Sequence, residues 1–257
     1  MKIAVNYQVK DMSGREWIDY AVSCGFLCME IAAQNLPEDS VLQDEIIEYA
    51  KEKGLQISLH SHFGPNNITD TNEENRQRSV LQLKNAIDIA ERHDLKVVTF
   101  HPGRLSDENE NAEEKWELLL KTVGEIAGYA KEKKVYIGIE NMEKRANEIV
   151  YTIDDLNRFA AFGTDNPYFG VTLDFSHFAT CGIILPDLNE LQLPIHDVHI
   201  SQSIGGKSHF SLTEQGEVMV DEVCRKLNDY GYDGFIVLEV REKQNESKDV
   251  LERIINK

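Results

Sequence analysis

Short apolar runs rich in Val, Ile and Phe alternate with amphipathic segments along this chain, and eight of the runs have the length of a β-strand. Helical periodicity follows nearly every run. The predicted strands are Lys2–Asn6, Phe26–Ala32, Gln56–His60, Lys96–His101, Val135–Glu140, Tyr168–Asp174, His196–Ile200 and Gly234–Glu239. The predicted helices are Gly14–Ser23, Ser40–Lys53, Asn72–His93, Ala112–Lys133, Thr152–Phe162, Val218–Tyr230 and Ser247–Ile255. After the sixth strand, the stretch Asp187–Leu191 is too short for an ordinary helix.

This alternation predicts an α/β fold, and a single (β/α)8 TIM barrel over residues 1–257 accounts for its repeats. The length of 257 residues suits one such barrel, and no Gly/Ser-rich linker or low-complexity run marks a domain boundary. The alternative is an open, doubly wound sheet. Neither GxGxxG after the first strand nor GxxxxGK[ST] occurs in the sequence, so the usual nucleotide-binding signatures give that alternative no support.

Six of the predicted strands end on a side chain that can bind a metal or transfer a proton. These residues are His60, His101, Glu140, Asp174, His199 and Glu239. In a barrel the carboxyl ends of all strands meet at one mouth, where barrel enzymes keep their catalytic residues. An open sheet brings only two or three strand ends together. The pattern therefore favours the closed barrel and predicts a ring of ligands at its mouth.

Part of this ring has the composition of a site for a divalent cation. Glu140, Asp174, His199 and Glu239 supply three carboxylates and one imidazole. Such ligands suit Mn²⁺, Mg²⁺, Co²⁺ or Zn²⁺ better than a metal that prefers thiolates. We therefore expect a divalent metal ion as cofactor, and we expect the four cysteines to be free thiols.

The charge of the chain restricts its partners. It has 27 Lys and Arg against 45 Asp and Glu, which gives a formal net charge of −18. The resulting field repels polyanions and argues against a nucleic acid partner. No apolar h-region opens the chain, and no segment approaches the roughly 18 apolar residues of a membrane span. We expect a cytoplasmic protein that acts on a small molecule, without a membrane partner, and a homo-oligomer is an open option.

Short motifs around the ring residues resemble those of a known superfamily. They are His60, His101 in FHPG, Glu140 in IEN, Asp174 and His177 in LDFSH, His199, His209, and Glu239 in LEV. In this order they resemble the xylose isomerase-like TIM barrel superfamily, which holds sugar and sugar phosphate isomerases and epimerases together with endonuclease IV. The resemblance spans nearly the whole chain. In the epimerase branch, it implies one divalent ion held by Glu140, Asp174, His199 and Glu239.

For function, the resemblance implies a divalent-metal-dependent sugar or sugar phosphate isomerase/epimerase. Glu140 and Glu239 would be the catalytic pair, in which one removes a carbon-bound proton and the other returns a proton to an enediolate that the metal stabilises. The residues expected to contact the sugar or sugar phosphate are His60, His101, His177, Lys207 and His209.

The endonuclease IV branch implies an alternative function, a metal-dependent phosphodiester hydrolase with three ions. In that arrangement His60, His101 and a bridging Glu140 bind one ion. The set Glu140, Asp174, His199 and Glu239 binds a second ion, and His177 with His209 binds a third. Lys207 stands where that branch has an aspartate. A cation at this position disfavours the third ion and, with it, the hydrolase.

Two long segments flank the predicted mouth. The turn-rich SHFGPNNITDTNEEN after the third strand is a candidate lid, and Gly205-Gly206 in SIGGKSHFSLTEQGE is a candidate hinge. Glu30, at the end of the second strand, has two interpretations of equal weight. It lies either on the floor of the pocket or beside the start of the following helix.

Overall fold

Ten strands account for the β-structure of the residues that the computed structural model describes, which are 1–6 and 12–256. They are β1 (Lys2–Val5), β2 (Cys28–Ala32), β3 (Gln56–His60), β4 (Val98–Phe100), β5 (Ile137–Glu140), β6 (Phe169–Asp174), β7 (Ile195–Ile200), β8 (Gln202–Ile204), β9 (Lys207–Phe210) and β10 (Phe235–Leu238). Eight form a closed barrel in the order β1-β10-β7-β6-β5-β4-β3-β2, with every pair parallel. Because β1 pairs with both β2 and β10, the predicted barrel is confirmed and the open sheet is excluded.

Helices alternate with the barrel strands. Over the same described ranges they are α1 (Gly14–Ser23), α2 (Ser40–Glu52), α3 (Glu73–His93), α4 (Ala112–Lys133), α5 (Ile153–Asn157), α6 (Ala160–Gly163), α7 (Phe175–Thr180), α8 (Val220–Tyr230) and α9 (Gln244–Ile255). Single 3₁₀ turns lie at Ala33–Asn35 and Leu188–Glu190. None of the helices within residues 1–6 and 12–256 has the length and apolar character needed to cross a bilayer.

Local side chains fix where several helices begin. The Asn72 side chain accepts a hydrogen bond from the Asn75 amide at 3.0 Å and starts α3. Thr152 and Asp155 form a reciprocal capping box at α5. The predicted helix Thr152–Phe162 is nevertheless two shorter helices, because the chain leaves helical geometry at the fully buried Phe159, whose ring packs against Trp116.

Two elements lie where the sequence predicted none. Asp174 caps α7 directly after β6, so the segment FSHFAT turns from strand into helix. The β8–β9 hairpin occupies the predicted hinge segment. Gly205 and Gly206 have φ values of 59° and 75°, which is the backbone of a tight two-residue hairpin turn. The glycine pair therefore forms the turn of a hairpin, and its role as a hinge stays a prediction.

The predicted lid is tied to the neighbouring loop. The buried ammonium group of Lys115 donates to the Thr69 carbonyl at 2.9 Å, and the Arg104 guanidinium donates to the Gly64 carbonyl at 2.7 Å. Asn67 donates in return to the Arg104 carbonyl at 2.9 Å. These cross-links hold the loop after β3 against the loop after β4, which argues against a free lid movement.

The barrel lumen beneath the mouth is polar. The hydroxyl groups of Thr99 on β4 and Thr172 on β6 lie 2.9 Å apart, although β5 separates the two strands. Gly138 on β5 leaves the space for this contact, because a Cβ at this position would lie 2.2 Å from Thr172 Oγ1. Barrel interiors are ordinarily filled by branched apolar side chains. At this level of the lumen, polar side chains therefore replace the usual apolar packing directly beneath the site.

We expect Gly138→Ala to lower the free energy of unfolding by about 1–3 kcal/mol, because the added methyl group collides with Thr172 in a packed lumen. Gly128→Ala is the matched control. It makes the same change on the exposed side of α4, where an added Cβ has no atom within 4 Å, and it should stabilise the helix by up to about 1 kcal/mol. Urea unfolding of both variants measures the difference, and equal effects would contradict the steric account.

Candidate metal centre

Four side chains from separate strands meet at the carboxyl mouth of the barrel. Glu140, Asp174, His199 and Glu239 each place one potential ligand atom within 4.8 Å of the others. The register pairs Asp174 directly with His199, and Glu239 follows β10 immediately. The convergence that the strand ends predicted is therefore present, while the role of each residue stays a prediction.

Local hydrogen bonds orient Asp174 toward this meeting point. Its Oδ1 accepts from the His177 amide at 2.8 Å and from the Ser176 hydroxyl at 2.7 Å. Asn141 brackets the same residue, because it accepts from the Asp174 amide and donates to the Asp174 carbonyl, both at 2.9 Å. With Oδ1 occupied by the helix cap, Oδ2 is left to face the other ligands.

Unpaired buried atoms mark the centre of the cluster. Within residues 1–6 and 12–256, Glu140 Oε1, Asp174 Oδ2, His199 Nδ1 and His177 Nε2 are buried without a hydrogen-bond partner. His199 Nδ1 lies 3.3 Å from Glu140 Oε1 and 3.5 Å from Glu239 Oε2. Buried polar atoms are normally paired, and an exception calls for an explanation. Carboxylate oxygens and imidazole nitrogens directed at one point fit a divalent cation.

The electrostatics of the cluster show how tightly its charges are balanced. Burial raises the pKa of Glu140, but the charge of His199 and close contacts with the rings of His101 and His199 outweigh it and leave that pKa well below its ordinary value. Burial lowers the pKa of His199, whereas the surrounding carboxylates, Glu30 foremost, raise it well above the ordinary value. Imidazolium protons thus balance the buried carboxylates, and a cation that binds here must displace them.

Asp174 behaves differently from its neighbour Glu140. Burial raises its pKa, and the nearby charge of Glu239 adds to the rise against the opposing effect of His177. The Glu239 carboxyl is also buried, but the charge of the nearby His199 ring holds the Glu239 pKa far below the ordinary value. The two glutamates are therefore ionised. Asp174 is the member of the group whose pKa is raised by burial and by the neighbouring negative charge.

A second group of potential ligands lies beside the first. His60 Nε2 and His101 Nε2 approach Glu140 Oε2 at 3.4 Å and 3.2 Å, and the two rings meet edge to face. Burial lowers the pKa of His60, but Glu140 and Glu30 overcome it and raise that pKa to about 9. At neutral pH, His60 is therefore protonated, and its two N–H groups face the Ser61 carbonyl and Glu140 Oε2.

A third group contains His177, His209 and Glu143. His177 Nδ1 contacts the Asn141 carbonyl at 2.9 Å, and His209 Nδ1 contacts the Glu239 carbonyl at 3.2 Å. A carbonyl only accepts, so both Nδ1 atoms carry protons and the neutral rings present Nε2 lone pairs. Glu143 supplies a carboxylate from the loop three residues beyond Glu140. It was not predicted because only residues at strand ends were considered as ligands.

Lys207 and His209 point in different directions, although both lie on β9. His209 has a φ of 69°, which breaks the alternation of the strand and directs its ring to the mouth. Lys207 is exposed and does not line the cavity above the site. The prediction that Lys207 contacts substrate therefore has no support from its placement.

An open cavity of about 440 Å³ lies above the cluster. Its lining is formed by His60, Phe63, Gly64, His101, Arg104, Met142, Glu143, Arg145, Asn147, Glu148, His177, His209 and Glu239. Each of the two arginines is engaged, since Arg104 binds the loop carbonyl of Gly64 and Arg145 pairs with Glu143. A small polar molecule fits this volume and these surroundings.

Comparison with known proteins places the chain in a family. Residues 18–256 match the family described as the xylose isomerase-like TIM barrel. The chain belongs to this family. It is 26% identical over 239 residues to the uncharacterized protein MJ1188 of Methanocaldococcus jannaschii, a match that covers 91% of this chain and 86% of that protein.

Two solved structures share the fold at lower sequence identity. A D-tagatose 3-epimerase-like protein superposes with a TM-score of 0.87 at 24% identity, over 100% of this chain and 97% of the other. D-psicose 3-epimerase from Clostridium cellulolyticum H10, crystallised with D-tagatose, superposes with a TM-score of 0.78 at 17% identity, over 99% of both chains.

Within this xylose isomerase-like barrel, sequence reasoning missed Arg104, Glu148 and Asn6. Arg104 and Glu148 reach the cavity from loops, and Asn6 contacts Glu239 from the side, as Glu30 contacts His199. Glu30 is fully buried against His199, so the interpretation that places it at the pocket floor is the correct one. Asn6 ends its predicted strand, but an amide was not counted among possible ligands.

Glu148 gives a pH-dependent prediction. Burial raises its pKa from 4.5 to about 7. Between these two pH values the folded state keeps a proton that the unfolded state releases, so stability falls as pH rises, by a total on the order of 3 kcal/mol. Glu148→Gln removes this titration. The variant should therefore gain stability relative to the wild type as pH increases from 5.5 to 8.5, measured by urea unfolding, whereas parallel profiles would refute the assignment.

Proposed function

We propose that this chain is a divalent-metal-dependent isomerase or epimerase that acts on sugars or sugar phosphates. The observation that carries the proposal is the convergence of two ionised glutamates, Glu140 and Glu239, with Asp174 and His199 under an open polar cavity. The family and the epimerases among the structural neighbours agree with it. These four residues would hold the ion.

Glu140 and Glu239 come from opposite sides of the mouth. In the barrel order, β10 and β5 are separated by β7 and β6, so their carboxylates face each other across the site. Glu140 or Glu239 removes the proton from a carbon beside the sugar carbonyl, and the other glutamate returns a proton from the opposite face. The pKa values of both are lowered, so both glutamates are deprotonated at neutral pH and either one can accept the proton. The bound cation would supply Lewis-acid stabilisation of the negative charge on the enediolate.

The histidines shape the substrate cavity. His60 lines it, and its Nδ1 and Nε2 contact the Ser61 carbonyl at 2.9 Å and Glu140 Oε2 at 3.4 Å. His177 is held by its contact with the Asn141 carbonyl and presents Nε2 to the site. Phe63, whose ring lies 5.7 Å from that of His101, supplies an apolar wall over the same cavity. These groups orient a polyhydroxylated ligand without taking the proton themselves.

Replacement of either glutamate tests the proton transfer. In Glu140→Gln and Glu239→Gln, the exchange of carbon-bound hydrogen with solvent should fall by about 10²- to 10⁴-fold, the usual contribution of a general base. Proton NMR of a panel of ketoses and their phosphates in D₂O measures this exchange. Glu125→Gln makes the same change on the exposed face of α4 and serves as the control. Wild-type exchange in both site variants would refute the assignment of the glutamates.

One observation keeps the phosphodiester hydrolase as a second candidate. Glu143 joins His177 and His209, so a carboxylate stands near the two imidazoles even though Lys207 replaces the aspartate expected there. With the group around His60 and His101, the mouth then offers three sets of ligands. The net charge of −18 opposes a nucleic acid substrate and favours the isomerase.

Metal stoichiometry separates the two functions. We expect one tightly bound ion per chain for the isomerase, and the double variant His60→Ala/His101→Ala should still bind it, because neither residue belongs to the four-ligand set. Elemental analysis after dialysis counts the ions. Two or three ions per chain, with one lost in the double variant, would favour the hydrolase. Asp174→Asn, which alters the proposed set itself, is the positive control for metal loss.

A further inference from the structure

We propose that Glu30 and Asn6 are positioning residues for the metal centre, which together fix the tautomer of His199 and the orientation of Glu239. The inference rests on the proposed function, because it concerns the same four ligands. It concerns two residues that are not themselves in the ligand set. Both act from the β1–β2 side of the barrel, whereas the four ligands come from β5, β6, β7 and the end of β10.

Glu30 determines which nitrogen of His199 faces the ligands. Its Oε2 lies 3.2 Å from His199 Nε2, and the two side chains are fully buried. An ionised carboxylate only accepts hydrogen bonds, so Nε2 carries the proton. The lone pair of the neutral ring then lies on Nδ1, the buried atom that faces Glu140 and Glu239. A carboxylate behind a ligating histidine is a general means of setting the tautomer and basicity of the ligand.

Asn6 connects Glu30 to a second ligand. Its Nδ2 donates to Glu30 Oε1 at 2.6 Å and also to Glu239 Oε1. One amide group therefore lies between two carboxylates, where its two hydrogens separate like charges that would otherwise repel each other. Glu239 keeps Oε2 directed at His199 Nδ1 and the other ligands. Through this amide, the orientation of Glu239 is coupled to that of His199.

The network needs a carboxylate at Glu30. Its two oxygens accept from two different donors, one from His199 and one from Asn6. A glutamine has a single acceptor oxygen, so Glu30→Gln satisfies one donor and turns an NH₂ group toward the other. The other residues of this strand are Cys, Met, Ile and Ala, and burying a carboxylate among them costs folding free energy that packing does not recover. Its position is explained by the two donors that it holds.

Metal titration tests the inference without relying on turnover. Co²⁺ alone is titrated into the purified full-length protein, with the dissociation constant and the visible d–d spectrum as readouts. Glu30→Gln should weaken Co²⁺ binding by about 10- to 100-fold and alter the spectrum, as is usual when the partner of a metal ligand is lost. Asn6→Ala, at a partly exposed position, leaves the Glu30–His199 contact in place and should weaken binding less.

Glu148→Gln is the matched control. It makes the same change at another buried glutamate, which belongs to none of the ligand groups found among the described residues. Weaker binding and a changed spectrum in Glu30→Gln and Asn6→Ala, with a near-normal Glu148→Gln, support the positioning role. Equal Co²⁺ affinity and identical spectra in wild type and Glu30→Gln overturn it while leaving the proposed function intact. Failure of the wild type to bind Co²⁺ overturns the proposed function itself.

Discussion

Buried negative charge at the barrel mouth is the constraint on which the rest of the site depends. Glu30, Glu140 and Asp174 are fully buried, and Glu239 lies at the edge of the same group. A buried carboxylate without compensation costs several kcal/mol. The chain compensates with imidazolium protons at His60 and His199, whose pKa values are raised. A bound cation would balance the same carboxylates in place of these protons, so metal affinity would depend on pH.

The fold and the inner site were predictable because they follow from strand periodicity. Parallel strands that close into a barrel bring their carboxyl ends to one rim, so residues as distant in sequence as Glu140 and Glu239 meet without any further information. Glu143, Arg104 and Glu148 could not be predicted in this way. They lie on loops, where the direction of a side chain depends on the path of the backbone and on contacts such as that of Arg104 with the Gly64 carbonyl.

The errors in local structure have particular causes. The FSHFAT segment is apolar and follows a strand, and only the capping hydrogen bonds of Asp174 reveal that a helix begins there. Lys207 and His209 were both expected to contact substrate, but Lys207 is exposed outside the cavity, whereas His209, with its left-handed backbone, lines it. Glu30 was ambiguous from its sequence position because its significance lies in its partners, Asn6 and His199. None of these contacts is encoded in periodicity.

The polar lumen has a consequence for how this barrel resists heat. Along β6, Thr172 faces the axis while Val171 and Leu173 face the surrounding helices, where they join the main apolar cluster. Near the mouth the axis contributes hydroxyls and carboxyls, and the inner apolar cluster of Ala4, Cys28, Phe235 and Val237 is small, so apolar packing is concentrated between the strands and the outer helices. Substitutions intended to raise the thermal stability of this barrel therefore belong in the strand–helix interface, around residues such as Leu119 and Val123, and not along the barrel axis.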